Sequence, residues 1–129
     1  MRTSDRVVGA SRRTTTVALV ATILVIAALT LSPRSGSSDV ELHPLRDFNT
    51  TDAVENLLLF LPFGATLSLR RWPLLRATAA GIAFSASVEL AQLVIPGRTT
   101  SVDDLVFNTL GTGLGWAIAA MFKEWGSGL

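Results

Sequence analysis

The chain has no cysteine and only one histidine, His43, among its 129 residues. Without cysteine it has neither a disulfide framework nor thiol chemistry. The sequence also contains no serine–histidine or cysteine–histidine arrangement, no phosphate-binding loop and no histidine cluster with metal-ligand spacing. We therefore predict no metal and no cofactor, and these features assign no catalytic residue.

Charged residues are also scarce, at 16% of the chain against 49% apolar residues, and the mean hydropathy is +0.46. A water-soluble protein of this size would need a charged surface. Four apolar stretches approach the ~20 residues that a helix needs to cross ~30 Å of hydrocarbon. They cover residues 14–31, 53–69, 77–95 and 105–122. The sequence therefore predicts an all-α fold, an integral membrane bundle of four transmembrane helices.

Two other interpretations of the apolar stretches are weaker. A soluble bundle predicts charged faces with a period of about 3.6 residues, but residues 17–31 carry no charge. A cleaved signal peptide fits Arg12 and Arg13 before the first stretch. However, the apolar run exceeds the usual core of about 7–15 residues, and no clear A-x-A cleavage site follows it. Hydropathy favours the membrane protein.

The basic residues predict its orientation, because Lys and Arg accumulate on the cytoplasmic side of membrane helices. One side holds Arg2, Arg6, Arg12, Arg13, Arg70, Arg71, Arg76 and Lys123, and the other holds Arg34, Arg46 and Arg98. Both termini are therefore predicted to be cytoplasmic. Since this topology explains the basic residues, we predict no nucleic-acid partner.

This topology divides the chain into a basic cytoplasmic tail (1–13), a single membrane domain (14–122) and a second cytoplasmic tail (123–129). The outer loop of the domain, residues 32–52, is rich in serine and proline, and we predict that it is irregular.

Polar and small residues share one face on each of the last three helices, because they recur every three or four residues. These faces comprise Asp52, Asn56, Phe60 and Gly64; then Gly81, Ser85, Glu89 and Gln92; then Asp104, Asn108, Gly111 and Gly115. We expect the faces to meet, to pack through their glycines on the inner side and to open into a polar recess on the outer side. The ligand-binding candidates at this recess are Asn56, Glu89, Gln92, Arg98, Asp103, Asp104 and Asn108.

Several of these polar residues also have structural explanations. Asp52-x-x-Glu55 and Ser101-x-x-Asp104 match capping boxes at helix starts. We assign packing roles to Gly64, Gly111 and Gly115, and a helix kink to Pro62.

Among the candidates, Glu89 is the residue whose position within a membrane segment most strongly indicates a partner or a function. A charge in the middle of a membrane costs roughly 2.5–3.5 kcal/mol, so it normally faces protein or water and has a partner. Ile95-Pro96-Gly97-Arg98 predicts a type II turn, which would return Arg98 toward Glu89 or the Asp103–Asp104 pair. A structural pair of Glu89 with Arg98 or Asn108 and a direct ligand-binding role both remain open.

The ordered set Asn56-x-x-x-Phe60-x-Pro62-x-Gly64, Glu89-x-x-Gln92, Arg98, Asp103-Asp104, Asn108-x-x-Gly111 and Gly115 resembles the VanZ-like family of small bacterial membrane proteins. The resemblance covers about residues 50–122. The family is named for an accessory protein of glycopeptide-resistance clusters, associated with reduced susceptibility to teicoplanin. The resemblance implies a multi-pass protein of the bacterial cytoplasmic membrane and a link to envelope antibiotics, but no reaction.

Two function classes follow. The first is a non-enzymatic protein whose recess binds a lipid-linked envelope component, such as a wall precursor, or a lipophilic glycopeptide, and so lowers teicoplanin-type susceptibility. Ligands with an acyl chain are favoured, because each buried CH₂ contributes about 0.8 kcal/mol to the free energy of membrane binding. The second is a membrane enzyme acting on a lipid headgroup, with Glu89 and Asp103 or Asp104 as acid and base or as cation ligands. The lipid bilayer is the expected partner. Whether the chain forms a homo-oligomer is left open by the sequence.

Overall fold

A computed structural model of the chain describes residues 3–45 and 48–127; Arg2, Arg46 and the ends of both predicted tails lie outside the described residues. The elements are α1 (Thr3–Leu31), β1 (Asp39–Glu41), α2 (Thr50–Leu69), α3 (Leu74–Gln92), β2 (Thr99–Ser101) and α4 (Val102–Ser127). In the described part of the chain, four helices are long and apolar enough to cross a membrane. The predicted helical membrane fold is confirmed, whereas the side on which the termini lie stays a prediction.

The ends of the helices differ from the predicted ranges for local reasons. α3 begins at Leu74 rather than 77, directly after Pro73, which has no N–H to donate. It ends at Gln92 rather than 95, because the N–H groups of Val94 and Ile95 donate to the third residue back and form turns. α1 extends through most of the basic tail, and α4 continues past Phe122.

The start of α2 corrects the proposed capping box at Asp52. Asn49 is the N-cap, and its side-chain oxygen accepts a hydrogen bond from the Thr51 N–H at 3.0 Å. Asp52 therefore lies inside the first turn, where its charge still interacts favourably with the positive end of the helix dipole. The side chains of Asp52 and Glu55 are exposed and free to serve another role.

The prediction that the connection between α1 and α2 is irregular is wrong in part. Within this connection, β1 forms a parallel ladder with β2. Asp39 lies opposite Thr99, and Glu41 lies opposite Ser101. The ladder holds residues of the long connection against the start of α4. No residue pattern predicts this pairing, since three residues are too few to show a strand pattern.

The Pro96–Gly97 turn forms as predicted. Gly97 has φ +72°, and the Arg98 N–H donates to the Ile95 carbonyl at 3.4 Å. The turn also contacts the segment that follows α1, because the Arg34 N–H donates to the Pro96 carbonyl at 3.2 Å. A Cβ on Gly97 would lie 1.7 Å from the Arg34 carbonyl oxygen, so only glycine allows this approach.

The three small-residue faces do meet, and the interface between α2 and α4 is the most extensive in the bundle. A Cβ on Gly111 would lie 2.3 Å from the Leu57 carbonyl oxygen, and one on Gly115 would lie 1.9 Å from that of Leu61. Gly64 lies equally close to Thr112, which also contacts Gly81. Backbone contact at this spacing is the usual reason for small residues in membrane helix interfaces.

The core is apolar and small, and it lies mainly between α1, α2 and α3. Its buried members are Ile26, Phe60, Phe63, Leu67 and Ala77. Many large apolar side chains of all four helices are exposed, among them Leu24, Leu58, Leu75 and Leu110. On helices of this length, such an exposed apolar surface is suited to contact with lipid.

The end of the bundle that carries the α2–α3 turn is held by polar and aromatic contacts. Lys123 Nζ donates to the Ser68 carbonyl at 2.7 Å, and the Trp116 indole donates to the Trp72 carbonyl at 2.8 Å. Arg76 lies over the Trp72 ring at 4.1 Å. Tryptophan and basic residues together are typical of a membrane–water interface.

Candidate functional site

A polar cavity of about 310 Å³ opens at the other end of the bundle. α1 and α3 end at this level, α2 and α4 begin there, and β1 and β2 border it. We call it the end cavity. Its lining residues are Arg34, Glu41, Phe48, Asn49, Asp52, Ala53, Glu55, Asn56, Gln92, Gly97, Arg98, Thr99, Ser101, Asp103, Asp104 and Phe107.

The cavity lies between the starts of α2 and α4, and a side-chain hydrogen bond joins these two helices. Asn56 Nδ2 donates to Asp104 Oδ1 at 2.6 Å. The neutral amide leaves the charge of the Asp104 carboxylate uncompensated by a direct partner, although Arg98 attracts it from a greater distance. Both side chains line the cavity.

Glu89 lies behind the cavity wall rather than in it. The residue is buried, and its Oε2 accepts a hydrogen bond from the Ser101 N–H at 2.9 Å. Among the described residues, neither Arg98 nor Asn108 forms the hydrogen bond or ion pair with Glu89 that the sequence suggested; Arg98 interacts with it only as a more distant charge. Glu89 therefore connects α3 to the end of β2, directly before α4.

Arg98 is the most unusual residue of the cavity wall. It is only 8% exposed, and its guanidinium forms no hydrogen bond or ion pair with any described residue. Burial lowers the pKa of Arg98, repulsion by Arg34 acts in the same direction, and Asp104 and Glu89 oppose both effects. The guanidinium nevertheless stays charged, because arginine is not deprotonated in proteins.

Asp103 connects the cavity to the α1–α2 connection. Its two carboxylate oxygens accept from the Leu45 N–H at 3.1 and 3.2 Å. Ser101 Oγ accepts from the Asp103 N–H at 3.1 Å, which is the serine half of the predicted capping box at α4. Asp104 does not supply the other half, because the Ser101 N–H donates to Glu89 Oε2 instead.

Gln92 and Asn108 are both buried amides with different positions. Gln92 lines the cavity, and its Nε2 donates to the Thr30 carbonyl at 2.9 Å, which joins α3 to the end of α1. Asn108 lies deeper, outside the lining, where its Nδ2 donates to Ser85 Oγ at 2.9 Å. The side-chain oxygens of both amides have no hydrogen-bond partner among the described residues.

The sequence predicts Asn56, Gln92, Arg98, Asp103 and Asp104 at the site, and these five residues do line one cavity. Glu89 and Asn108 lie beside it. The lining residues that were not predicted come mostly from the α1–α2 connection and from the first two turns of α2, namely Arg34, Glu41, Phe48, Asn49, Asp52 and Glu55. Within the described residues, no three histidine or acidic side chains converge closely enough to hold a metal ion.

The VanZ/LLP1 family model matches residues 13–123. The chain belongs to the VanZ/LLP1 family. The match includes most of each of the four helices and every lining residue of the end cavity, so the cavity of this VanZ/LLP1 protein lies within its family domain. Comparison with curated proteins and with solved structures found no match.

Proposed function

We propose that this VanZ/LLP1-family protein is a non-enzymatic membrane protein that binds, in an end cavity facing outward, the polar head of a lipid-linked envelope component or of a lipophilic glycopeptide. The main support for this proposal is a mostly polar cavity of about 310 Å³ at the end of helices that can cross a membrane. Small-molecule sites begin at about 300 Å³. The cavity therefore accommodates a small polar group of such a ligand, whereas the rest of the ligand lies outside it.

A path for a lipid chain supports this proposal. Glu55 lines the end cavity, and Leu59 and Pro62 follow it on the same face of α2, at one and two helical turns. Both line an apolar groove of about 280 Å³ between α1 and α2. One helix face thus joins a polar cavity to an apolar groove, which suits a ligand with a polar head and a hydrocarbon chain.

The hydrogen bonds of the acids favour binding over catalysis. A general base must lie within reach of the proton that it removes. Glu89 does not line the cavity, and the Asp103 and Asp104 carboxylates accept from Leu45 and Asn56. These three carboxylates already hold the wall together, so we assign them structural and electrostatic roles rather than those of acid and base.

The proposal predicts a selective drug phenotype. The protein should be expressed in a glycopeptide-susceptible bacterium, and the inhibitory concentrations of teicoplanin, which carries an acyl chain, and of vancomycin, which does not, should be measured. We expect expression to raise the value for teicoplanin only. Arg98→Gln should remove the effect, whereas Arg71→Gln, an exposed arginine at the opposite end, should retain it.

Equal shifts for both drugs would contradict a lipid-anchored ligand, and no shift for either would contradict this role in drug susceptibility. Mass spectrometry of extracted lipids tests the enzymatic alternative in the same strains. A new headgroup species that depends on expression would favour an enzyme over a binding protein.

A further inference from the structure

The wall of the end cavity contains a pair of neighbouring basic side chains and a group of neighbouring acidic side chains. Arg34 lies close enough to Arg98 for the two guanidinium groups to repel each other. Asp104 likewise lies close to Asp52 and Asp103. The basic and the acidic group adjoin each other, since Arg98 and Asp104 lie close enough for their charges to attract. Neighbouring like charges are unfavourable by Coulomb's law, so each half of the wall favours a ligand of opposite charge.

The basic half of the wall contains an arginine, Arg98, whose guanidinium has no hydrogen-bond or ion-pair partner among the described residues. Arg98 lines the cavity and is more than nine-tenths buried as a residue. A buried charge is costly unless it is paired. Arg34 is exposed on the same cavity and adds a second guanidinium. Two planar guanidinium groups are well suited to bind a phosphate or carboxylate group.

The acidic half excludes a ligand that is only anionic. The described lining residues include five carboxylates and two guanidinium groups, so the wall carries an excess of negative charge. Asp52 and Glu55 are exposed and accept no hydrogen bond from any described residue. Their carboxylates do not converge into a metal site. An ammonium group, with three N–H donors, complements such a spread of acceptors.

We propose that the head bound in the end cavity is zwitterionic, with an anionic group against Arg98 and Arg34 and an ammonium group against Asp52 and Asp104. This inference rests on the proposed function and specifies the chemistry of its ligand. A head of one sign satisfies only one half of the wall and is repelled by the other half. A phosphoethanolamine group carries both charges within a few bonds and is the simplest probe.

The test is a binding assay on the full chain, purified in a neutral detergent, with monoacyl probes of one chain length. The probes carry a phosphoethanolamine head, a phosphate head, a primary amine head and an uncharged glycerol head. Free glycerophosphoethanolamine, without a chain, is the fifth probe. We expect the phosphoethanolamine lipid to bind at least about tenfold more tightly than the other three lipids, since each lost charge-assisted contact is worth about that factor.

Two variants assign the halves of the wall. Arg34→Gln should reduce the preference for phosphoethanolamine over the amine lipid, and Asp52→Asn should reduce its preference over the phosphate lipid. Both side chains are exposed, so neither variant depends on repacking a buried group. Arg98→Gln should act like Arg34→Gln but more strongly. Arg71→Gln at the opposite end should leave all preferences unchanged.

The outcomes separate this inference from the proposed function. If the phosphate, amine or glycerol lipid binds as tightly as the phosphoethanolamine lipid, the zwitterionic inference is wrong while lipid binding stands. If the chainless probe binds as tightly as the lipid, the zwitterionic inference stands and the lipid anchor is wrong. If no probe binds saturably, both are wrong.

Discussion

Asn56 and Asp104 join the starts of α2 and α4 through a single hydrogen bond of 2.6 Å, from an amide nitrogen to a carboxylate oxygen. The bond lies at the wall of the end cavity, above the backbone contacts of the same two helices at Gly111 and Gly115. The α2–α4 interface thus combines close glycine packing along its length with a polar contact at the cavity. The two kinds of contact can be tested separately.

The polar contact should contribute measurably to stability. We expect Asn56→Ala to lower the free energy of unfolding in detergent by about 1–3 kcal/mol, because a half-buried carboxylate loses a donor. Asp104→Ala should be less harmful in the Asn56→Ala background than in the parent. Chemical unfolding of both single variants and the double variant gives the coupling energy.

Glu55→Ala is the matched control, because Glu55 is the exposed neighbour of Asn56 and accepts no hydrogen bond from any described residue. Its effect should stay within about 0.5 kcal/mol. Additive losses for Asn56→Ala and Asp104→Ala would show that the hydrogen bond does not stabilise the protein.

The glycine contacts predict a sharp difference between two neighbouring positions of α4. A Cβ at Gly115 would lie 1.9 Å from the Leu61 carbonyl oxygen, whereas one at Gly113 would meet nothing within 4 Å. Gly115→Ala should therefore destabilise the bundle by about 1–3 kcal/mol, the usual cost of overpacking. Gly113→Ala should be neutral or stabilising by up to about 1 kcal/mol, since alanine favours helix. Thermal unfolding in detergent distinguishes them, and similar melting temperatures would contradict the proposed packing.

The helices were predictable because a bilayer requires a fixed length of apolar residues, and the shared faces were predictable because helical periodicity places every third or fourth residue together. The same periodicity placed Asn56 and Asp104 at one site. Helix ends were less predictable. Asn49 and Asp52 are both good capping residues, three positions apart, and only the structure shows that Asn49 is the cap.

The remaining errors concern the backbone outside the helices. The sequence suggested Arg98 or Asn108 as partners of Glu89, but the actual donor is the Ser101 N–H, and residue patterns do not reveal backbone donors. Arg34 and Glu41 reach the cavity through the Pro96 turn and the β1–β2 ladder. Both contacts connect residues far apart in the chain and leave no periodic signal.

Gly97 provides a test of the loop that positions Arg34. Its φ of +72° favours glycine, and a Cβ there would also lie 1.7 Å from the Arg34 carbonyl oxygen. Asparagine tolerates this φ but carries a Cβ. We therefore expect Gly97→Ala and Gly97→Asn to lower the melting temperature and weaken binding of the phosphoethanolamine probe to a similar extent. If asparagine restores both, only the backbone conformation matters, and the close contact with Arg34 is unimportant.

The orientation of the bundle can be tested with single cysteines, because the parent chain contains none. Ser37 is exposed in the connection near the end cavity, and Gly126 lies near the end of α4, where a Cβ would meet nothing within 4 Å. The distribution of basic residues predicts that Ser37→Cys reacts with an impermeant thiol reagent applied to intact cells and that Gly126→Cys does not. Permeabilised cells provide the control, since both cysteines should then react. Labelling of Gly126→Cys alone in intact cells would place the end cavity on the cytoplasmic side, where an extracellular drug or an outward-facing wall precursor could not reach it.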